Sequence, residues 1–204
     1  WVAAGLLAIT TVMLQLLFTE TLKEKSNKRI RPLTGVRNLV KAFTIAELRD
    51  LFIIVFLFTL GFAFFTQFFQ VFLVDQFGYD EMDIGLLFGY VGLCIAITQG
   101  GLVRLVNKRF VLEKIPLVTL LVLGISLAVL ILPRENWLLY AIVPVVAGSR
   151  GISKPVLDTL VSNQASADQQ GEVLGINQSI ASVGLVIPPL VSGFIARIDS
   201  ALPT

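Results

Sequence analysis

The 204-residue chain is 55% hydrophobic and only 15% charged, against about 25% charged in an ordinary soluble domain, and its mean hydropathy is +0.84. So few charges cannot coat a water-facing surface, and a net charge of +2 spread along the chain leaves no footprint for nucleic acid. The single cysteine, Cys94, excludes an intrachain disulfide, and the absence of histidine removes His-based metal sites, Ser-His triads and His proton relays, which disfavours an enzyme.

The first element is the apolar run from Trp1 to Phe18. It has no initiator Met and no charged leader with a cleavage site, and another apolar run ends shortly before Thr204, so the sequence reads as a fragment. A basic segment follows, with Lys23, Lys25, Lys28, Arg29, Arg31, Arg37, Lys41 and Arg49. Within it Val36, Leu39, Val40 and Phe43 recur at helical spacing, as in a helix lying on a membrane surface. Thr44-Ile-Ala-Glu47 has the pattern of a capping box opening the next helix.

Five further apolar runs lie at about 51–74, 84–106, 112–132, 137–160 and 173–196. Each reaches the ~20 residues that cross a bilayer's hydrocarbon core, and they mostly lack the polar stripe of soluble core helices. They are too long and too apolar for the alternating strands of a barrel. The predicted fold is therefore all-α, a polytopic transmembrane helix bundle with six spans. The connector holding Asp75, Asp80, Glu81 and Asp83 has no Lys or Arg, whereas the next holds Lys108 and Arg109. Alternation of basic and acidic connectors predicts that residues 20–50, 107–111 and 161–172 are cytoplasmic. Ser166-Ala-Asp-Gln169 is a second capping-box pattern, before the last run.

Chemistry would reside in polar residues within the spans. Gln67 and Gln70 share a helix face in a phenylalanine-rich stretch, which suits an amphipathic organic molecule; the alternative is two amides bonding neighbouring helices. Gly85 and Gly89 are four apart, as are Gly92, Ala96 and Gly100, a small-residue face expected to pack closely against another helix. Asn177, Gln178, Ser179 and Gln99 are expected to cap or link helices rather than touch a ligand. Arg150, Lys154 and Asp158 lie four residues apart on one face. At 1.5 Å per residue Arg150 is ~20 Å from Trp137, deep in the span, where a lone cation costs ~2.5–3.5 kcal/mol unless it snorkels. One reading has Arg150 snorkelling beside Lys154; the other has it facing a cavity, binding an anionic group or an acid from elsewhere in the protein.

Two stretches carry a family resemblance. Gly100-Gly-Leu-Val-Arg104-Leu-Val-Asn107-Lys108-Arg109 resembles the loop motif of major facilitator transporters. Gly100, Lys108 and Arg109 fit, whereas Arg104, Leu105 and Asn107 depart, and an ordinary basic turn is the competing reading. Gly175, Gly184, Pro188-Pro189 and Gly193 resemble the Gly- and Pro-rich helix motif of the family's antiporters, with Pro188 in place of Gly. Two prolines in succession should bend that helix. Ser166 to Gly175 resembles the segment between the tenth and eleventh helices of the tetracycline-efflux-like branch.

The resemblance implies a C-terminal half running from the family's sixth helix to its eleventh, with the twelfth missing. Residues 1–19 would be the last helix of the first half, 20–50 the cytoplasmic central linker and 51–204 the incomplete C-terminal bundle. It implies secondary active efflux of small molecules by alternating access in the cell's inner or plasma membrane, coupled to protons through acids in the absent half. Implied partners are a small-molecule substrate, a proton, the lipid bilayer and that N-terminal half, with no cofactor, metal or nucleic acid. Gly100, Arg104, Lys108, Arg109, Gly175, Gly184, Pro188, Pro189 and Gly193 would serve gating and conformational change. Competing readings are a non-transporting receptor or scaffold that keeps the fold, an uptake permease, and the permease of a primary transporter.

Overall fold

A computed structural model describes residues 2–17, 46–132, 135–166 and 169–201. The chain divides into two units, residues 1–34 and 35–204. The first contains α1 (Val2–Leu17), an apolar helix in which the Thr10 and Thr11 hydroxyls donate to the carbonyls of Leu6 and Leu7 one turn back. The basic segment, its amphipathic stretch and the Thr44–Glu47 pattern lie outside the described residues.

The second unit is a bundle of helices: α2 (Ala46–Phe77), α3 (Glu81–Ile97), α4 (Val103–Arg109), α5 (Lys114–Val129), α6 (Asn136–Asn163) and α7 (Gln170–Ala201). A π-helical turn, Thr98–Leu102, joins α3 to α4 without a break. By length and apolarity, Leu48–Phe77, Glu81–Arg109 and Gln170–Gly193 suffice to cross a membrane. α5 is shorter than the run at 112–132 suggested: sixteen residues, ~24 Å, short of a ~30 Å hydrocarbon core. α6 is long enough, ~42 Å, but small and charged residues dilute its apolar character.

Helix ends follow local chemistry. Gly78 ends α2 at φ +64°, a conformation that costs glycine nothing. There the Gly78 and Tyr79 N–H groups donate to the carbonyls of Val74 and Leu73. Asp80 then caps α3: its side chain accepts from the Asp83 N–H, and the Asp83 carboxylate accepts from the Asp80 N–H. The box has Asp at both positions, outside the usual Ser/Thr and Glu/Gln pattern. The one expected at Ser166–Gln169 differs, since the Gln169 N–H donates to the main-chain carbonyl of Ser166 and α7 begins at Gln170.

α6 is the hub, packing against α5, α3, α7, α2 and the π turn, while α2 pairs chiefly with α7. One core joins Phe52 and Val55 of α2 to Leu157 and Val161 of α6 and to Ile176 and Ile180 of α7. A second gathers Phe69 and Leu73 of α2, Leu87 of α3, Leu130, and Leu139 and Val143 of α6. The outward side chains, such as Leu57, Leu93, Leu121, Ile125 and Leu190, are large, apolar and exposed, as a surface facing lipid requires.

Close approach occurs at glycines other than those expected. A Cβ on Gly184 would lie 3.2 Å from the Leu60 main-chain nitrogen and 3.3 Å from the Thr59 Cβ, so α7 meets the α2 backbone there. A Cβ on Gly151 would lie 3.2 Å from the Thr98 side chain, where α6 meets the π turn. A Cβ on Gly85, Gly89, Gly92 or Gly100 would meet nothing within 4 Å. The small-residue face of α3 therefore meets no other helix among the described residues: spacing shows that a face is smooth but not which partner lies on it.

Prolines are absorbed within the helices. Pro144 has no N–H for the Tyr140 carbonyl, and the Tyr90 hydroxyl of α3 donates to that carbonyl at 3.5 Å. α7 continues through Pro188 and Pro189 as one helix, so the prolines do not break it. The two prolines still leave the Gly184 and Leu185 carbonyls without their usual i+4 donors.

Candidate functional site

A cavity of about 420 Å³ opens between α2, α6 and α7. The wall from α2 is a helical stripe: Thr59, Phe62, Ala63, Thr66, Gln67 and Gln70 recur every three or four residues and so share one face. α6 contributes Arg150 and Lys154, and α7 contributes Gln178, Ala181 and Pro189. Gln67, Gln70 and Arg150, singled out separately in the sequence, thus line one space.

Arg150 is placed by its neighbours. The flanking Ser149 and Gly151 are buried against the bundle, which turns the arginine towards α2. Its guanidinium carbon lies 4.0 Å from the centre of the Phe62 ring. This stack covers the flat face of the cation, which Arg tolerates better than Lys because its charge is delocalised and weakly hydrated. Stacking does not satisfy the guanidinium's edge: among the described residues Arg150 Nε is buried without an acceptor, and the Thr59 hydroxyl on the α2 wall is also buried without a partner. Unmatched buried donors are rare and call for an explanation.

Lys154, one turn along, is engaged. Its ammonium donates to both Asp158 oxygens at 2.8 and 2.6 Å, and the Asn177 amide of α7 donates to Asp158 at 2.8 Å. The Lys154–Asp158 pairing is the one that the four-residue spacing suggested; the link to Asn177 ties α6 to α7 as well. Both charged side chains are about one-third exposed, so the ion pair itself adds only a few tenths of a kcal/mol. The buried Asn177 bond should matter more. Asn177→Leu is expected to destabilise the protein by about 0.6 kcal/mol, the average for a hydrogen bond between membrane helices. Unfolding of variant and parent in mixed micelles measures this, and unchanged stability would show that Asn177 does not tie the helices.

Gln178 was expected to link helices, but it lines the cavity. Ser179 donates to the Gly175 carbonyl within its own helix, and Gln99 is exposed in the π turn.

Residues 100–109, read as a loop, are helical. Gly100 lies in the π turn, a geometry that inserts one residue into the helical repeat. Arg104, Lys108 and Arg109 are exposed on α4, the last two in its final turn, where cations complement the helix's C-terminal carbonyls. Gly175 and Gly193 face open space, Gly184 is pressed against α2, Pro188 is fully buried and Pro189 borders the cavity.

Phe62, Thr66 and Arg150 also border a second cavity, of about 250 Å³, lined elsewhere by side chains such as Phe65, Phe69, Phe88 and Ile95. Its aromatic wall is continuous, with Phe65 and Phe69 stacked at 4.7 Å and Phe69 meeting Phe88 edge-on at 6.4 Å.

An apolar helical bundle around a polar-lined cavity defines a membrane-embedded protein of the polytopic helical class. Residues 1–196 match the Major Facilitator Superfamily, and the chain belongs to that family. It is 26% identical to the class E tetracycline resistance protein of Escherichia coli over 59% of this chain and 30% of that protein. It is 28% identical to multidrug resistance protein 1 of Bacillus subtilis (strain 168) over 74% of this chain and 39% of that protein. The chain thus spans roughly a third of the length of the curated relatives it matches.

Proposed function

We propose that residues 1–204 form part of a secondary active transporter that exports small organic molecules by alternating access, and that the cavity between α2, α6 and α7 is this segment's share of the substrate path. The observation that carries the reading is the convergence of Gln67, Gln70 and Arg150 on one cavity inside an otherwise apolar bundle. Family membership supports a transporter, and the similarity to two resistance proteins supports export over uptake. In this reading the segment runs from the family's sixth helix to its eleventh, and residues 20–50 are the cytoplasmic linker between halves. Transporters of this kind hold substrate at the interface of two repeats and expose it to each side in turn.

Coupling to protons belongs to the same proposal, with its acids outside residues 1–204. The support is local: among the described residues no carboxylate lines the cavity, and Asp158 is engaged by Lys154 and Asn177. In the gating half of the proposal, Lys108 and Arg109 hold α4 at the inner surface while the Gly184–Pro189 segment of α7 adjusts against α2.

The experiment is transport by the full-length protein in everted membrane vesicles, with and without an imposed proton gradient. Gradient-dependent accumulation of an amphipathic dye is expected, and accumulation insensitive to the gradient would remove the coupling. Sidedness is read in the same membranes: in a Cys94→Ala background an impermeant thiol reagent should reach a cysteine at 81 but not one at 28 in intact cells. The reverse pattern would overturn the topology.

A further inference from the structure

We propose that the two adjoining cavities form one bipartite site for an amphipathic organic anion, with the acid group held at Arg150 and the apolar body lodged in the aromatic chamber. This rests on the reading of the larger cavity as a substrate site and names the chemical class that it takes.

Charge is the first argument. Among the described residues, the cations Arg150 and Lys154 border the larger cavity, and no Asp or Glu does. Lys154 is neutralised by Asp158 through both carboxylate oxygens. The guanidinium of Arg150 has no carboxylate partner among the described residues, and its contact is with the Phe62 ring. A second cation brought beside it would be repelled in a medium where charges are weakly screened, whereas a carboxylate or sulfonate would be drawn in.

Hydrogen bonding is the second. Among the described residues Arg150 Nε is a donor without an acceptor, and the Thr59 hydroxyl on the facing helix is also unmatched. Guanidinium nitrogens only donate, so the group that completes the site must bring acceptor oxygens. An anionic group with two or three oxygens meets that need and suits the planar fork.

Shape is the third. Phe62 and Arg150 border both cavities, so the stacked pair is the partition between a chamber with amides and a chamber of Phe65, Phe69 and Phe88. A ligand with an acid at one end and a ring at the other would place its acid at the partition's polar edge. Its ring would then take up the edge-to-face packing that Phe69 and Phe88 already show.

The test uses the full-length protein purified in detergent and three probes with one ring system: naphthalene-2-sulfonate, 2-naphthylmethylammonium and neutral 2-naphthylmethanol. The sulfonate is expected to bind at least tenfold tighter than the ammonium. Arg150→Gln should remove at least tenfold of the sulfonate affinity and weaken that of the alcohol far less. Arg150→Lys should lose nearly as much as Arg150→Gln, because the fork and the stack go with the guanidinium. Sulfonate binding no tighter than ammonium binding, or unaffected by Arg150→Gln, overturns the proposal. The wild-type comparison of the probes stands even if the variants fail to fold. Vesicle transport separates this inference from the reading beneath it. Gradient-driven uptake of the ammonium but not the sulfonate would leave a transporter and remove the anion site. Arg150-dependent sulfonate binding with no transport of any probe would do the opposite.

Discussion

Gly184→Leu is expected to cost the protein about 1–3 kcal/mol of stability, the usual range for forcing bulk into a packed contact. The reason is what stands opposite. A Cβ at this position lies 3.2 Å from the Leu60 nitrogen and 3.3 Å from the Thr59 Cβ, and the first of these is main chain that cannot swing aside. α2 and α7 must separate, and the Phe52–Ile180 core shared by those helices opens with them. Gly175→Leu on the same helix is the control, because a Cβ there meets nothing within 4 Å. Thermal unfolding in detergent should lower the midpoint for Gly184→Leu and barely move it for Gly175→Leu. Equal midpoints would mean that the α2–α7 contact is not as close as described. A lower midpoint for Gly184→Leu alone would give the glycine motif a packing role at one of its positions only.

The second large effect concerns the amides. Replacing Gln67 and Gln70 together by leucine should lower the kcat/KM of transport at least tenfold, about 1.4 kcal/mol of lost transition-state stabilisation, with expression unchanged. Both side chains are exposed on the cavity wall and make no interhelical bond among the described residues, so removing their amides takes nothing from the packing. If expression and melting fall while transport per molecule holds, the amides join helices and do not serve the substrate.

The spans were legible because the membrane's demand is crude: some twenty apolar residues in a row, with turns between. α3 with its continuation, α6 and α7 fall within a few residues of the apolar runs that announced them. What the runs could not show was helix phase. Asp158 and Asn177 are nineteen residues apart, and nothing in either segment says that their side chains meet across α6 and α7. The same blindness sent Gln178 to a linking role and left Thr59 unnoticed, since a threonine in a span commonly bonds its own helix, as Thr66 does. Gln67, Gln70 and Arg150 were visible for the opposite reason: long polar groups in apolar runs are costly enough to stand out one at a time. The π turn was hidden because Gly100 and Gly101 permit an inserted residue without requiring one.

The central claim, that the α2–α6–α7 cavity is a water-accessible path opened to each side in turn, is tested most directly by a cysteine at position 63. Ala63 lines the cavity on the same face as Gln67. In a Cys94→Ala background, which keeps the Cys94 main-chain carbonyl that accepts from Thr98, the full-length protein is treated with an impermeant thiol reagent in intact cells and in everted vesicles. The account predicts modification from both sides and none at a control cysteine replacing Ala96 on the outward face of α3. Modification of position 63 from neither side, or from one side only under every condition, would contradict it.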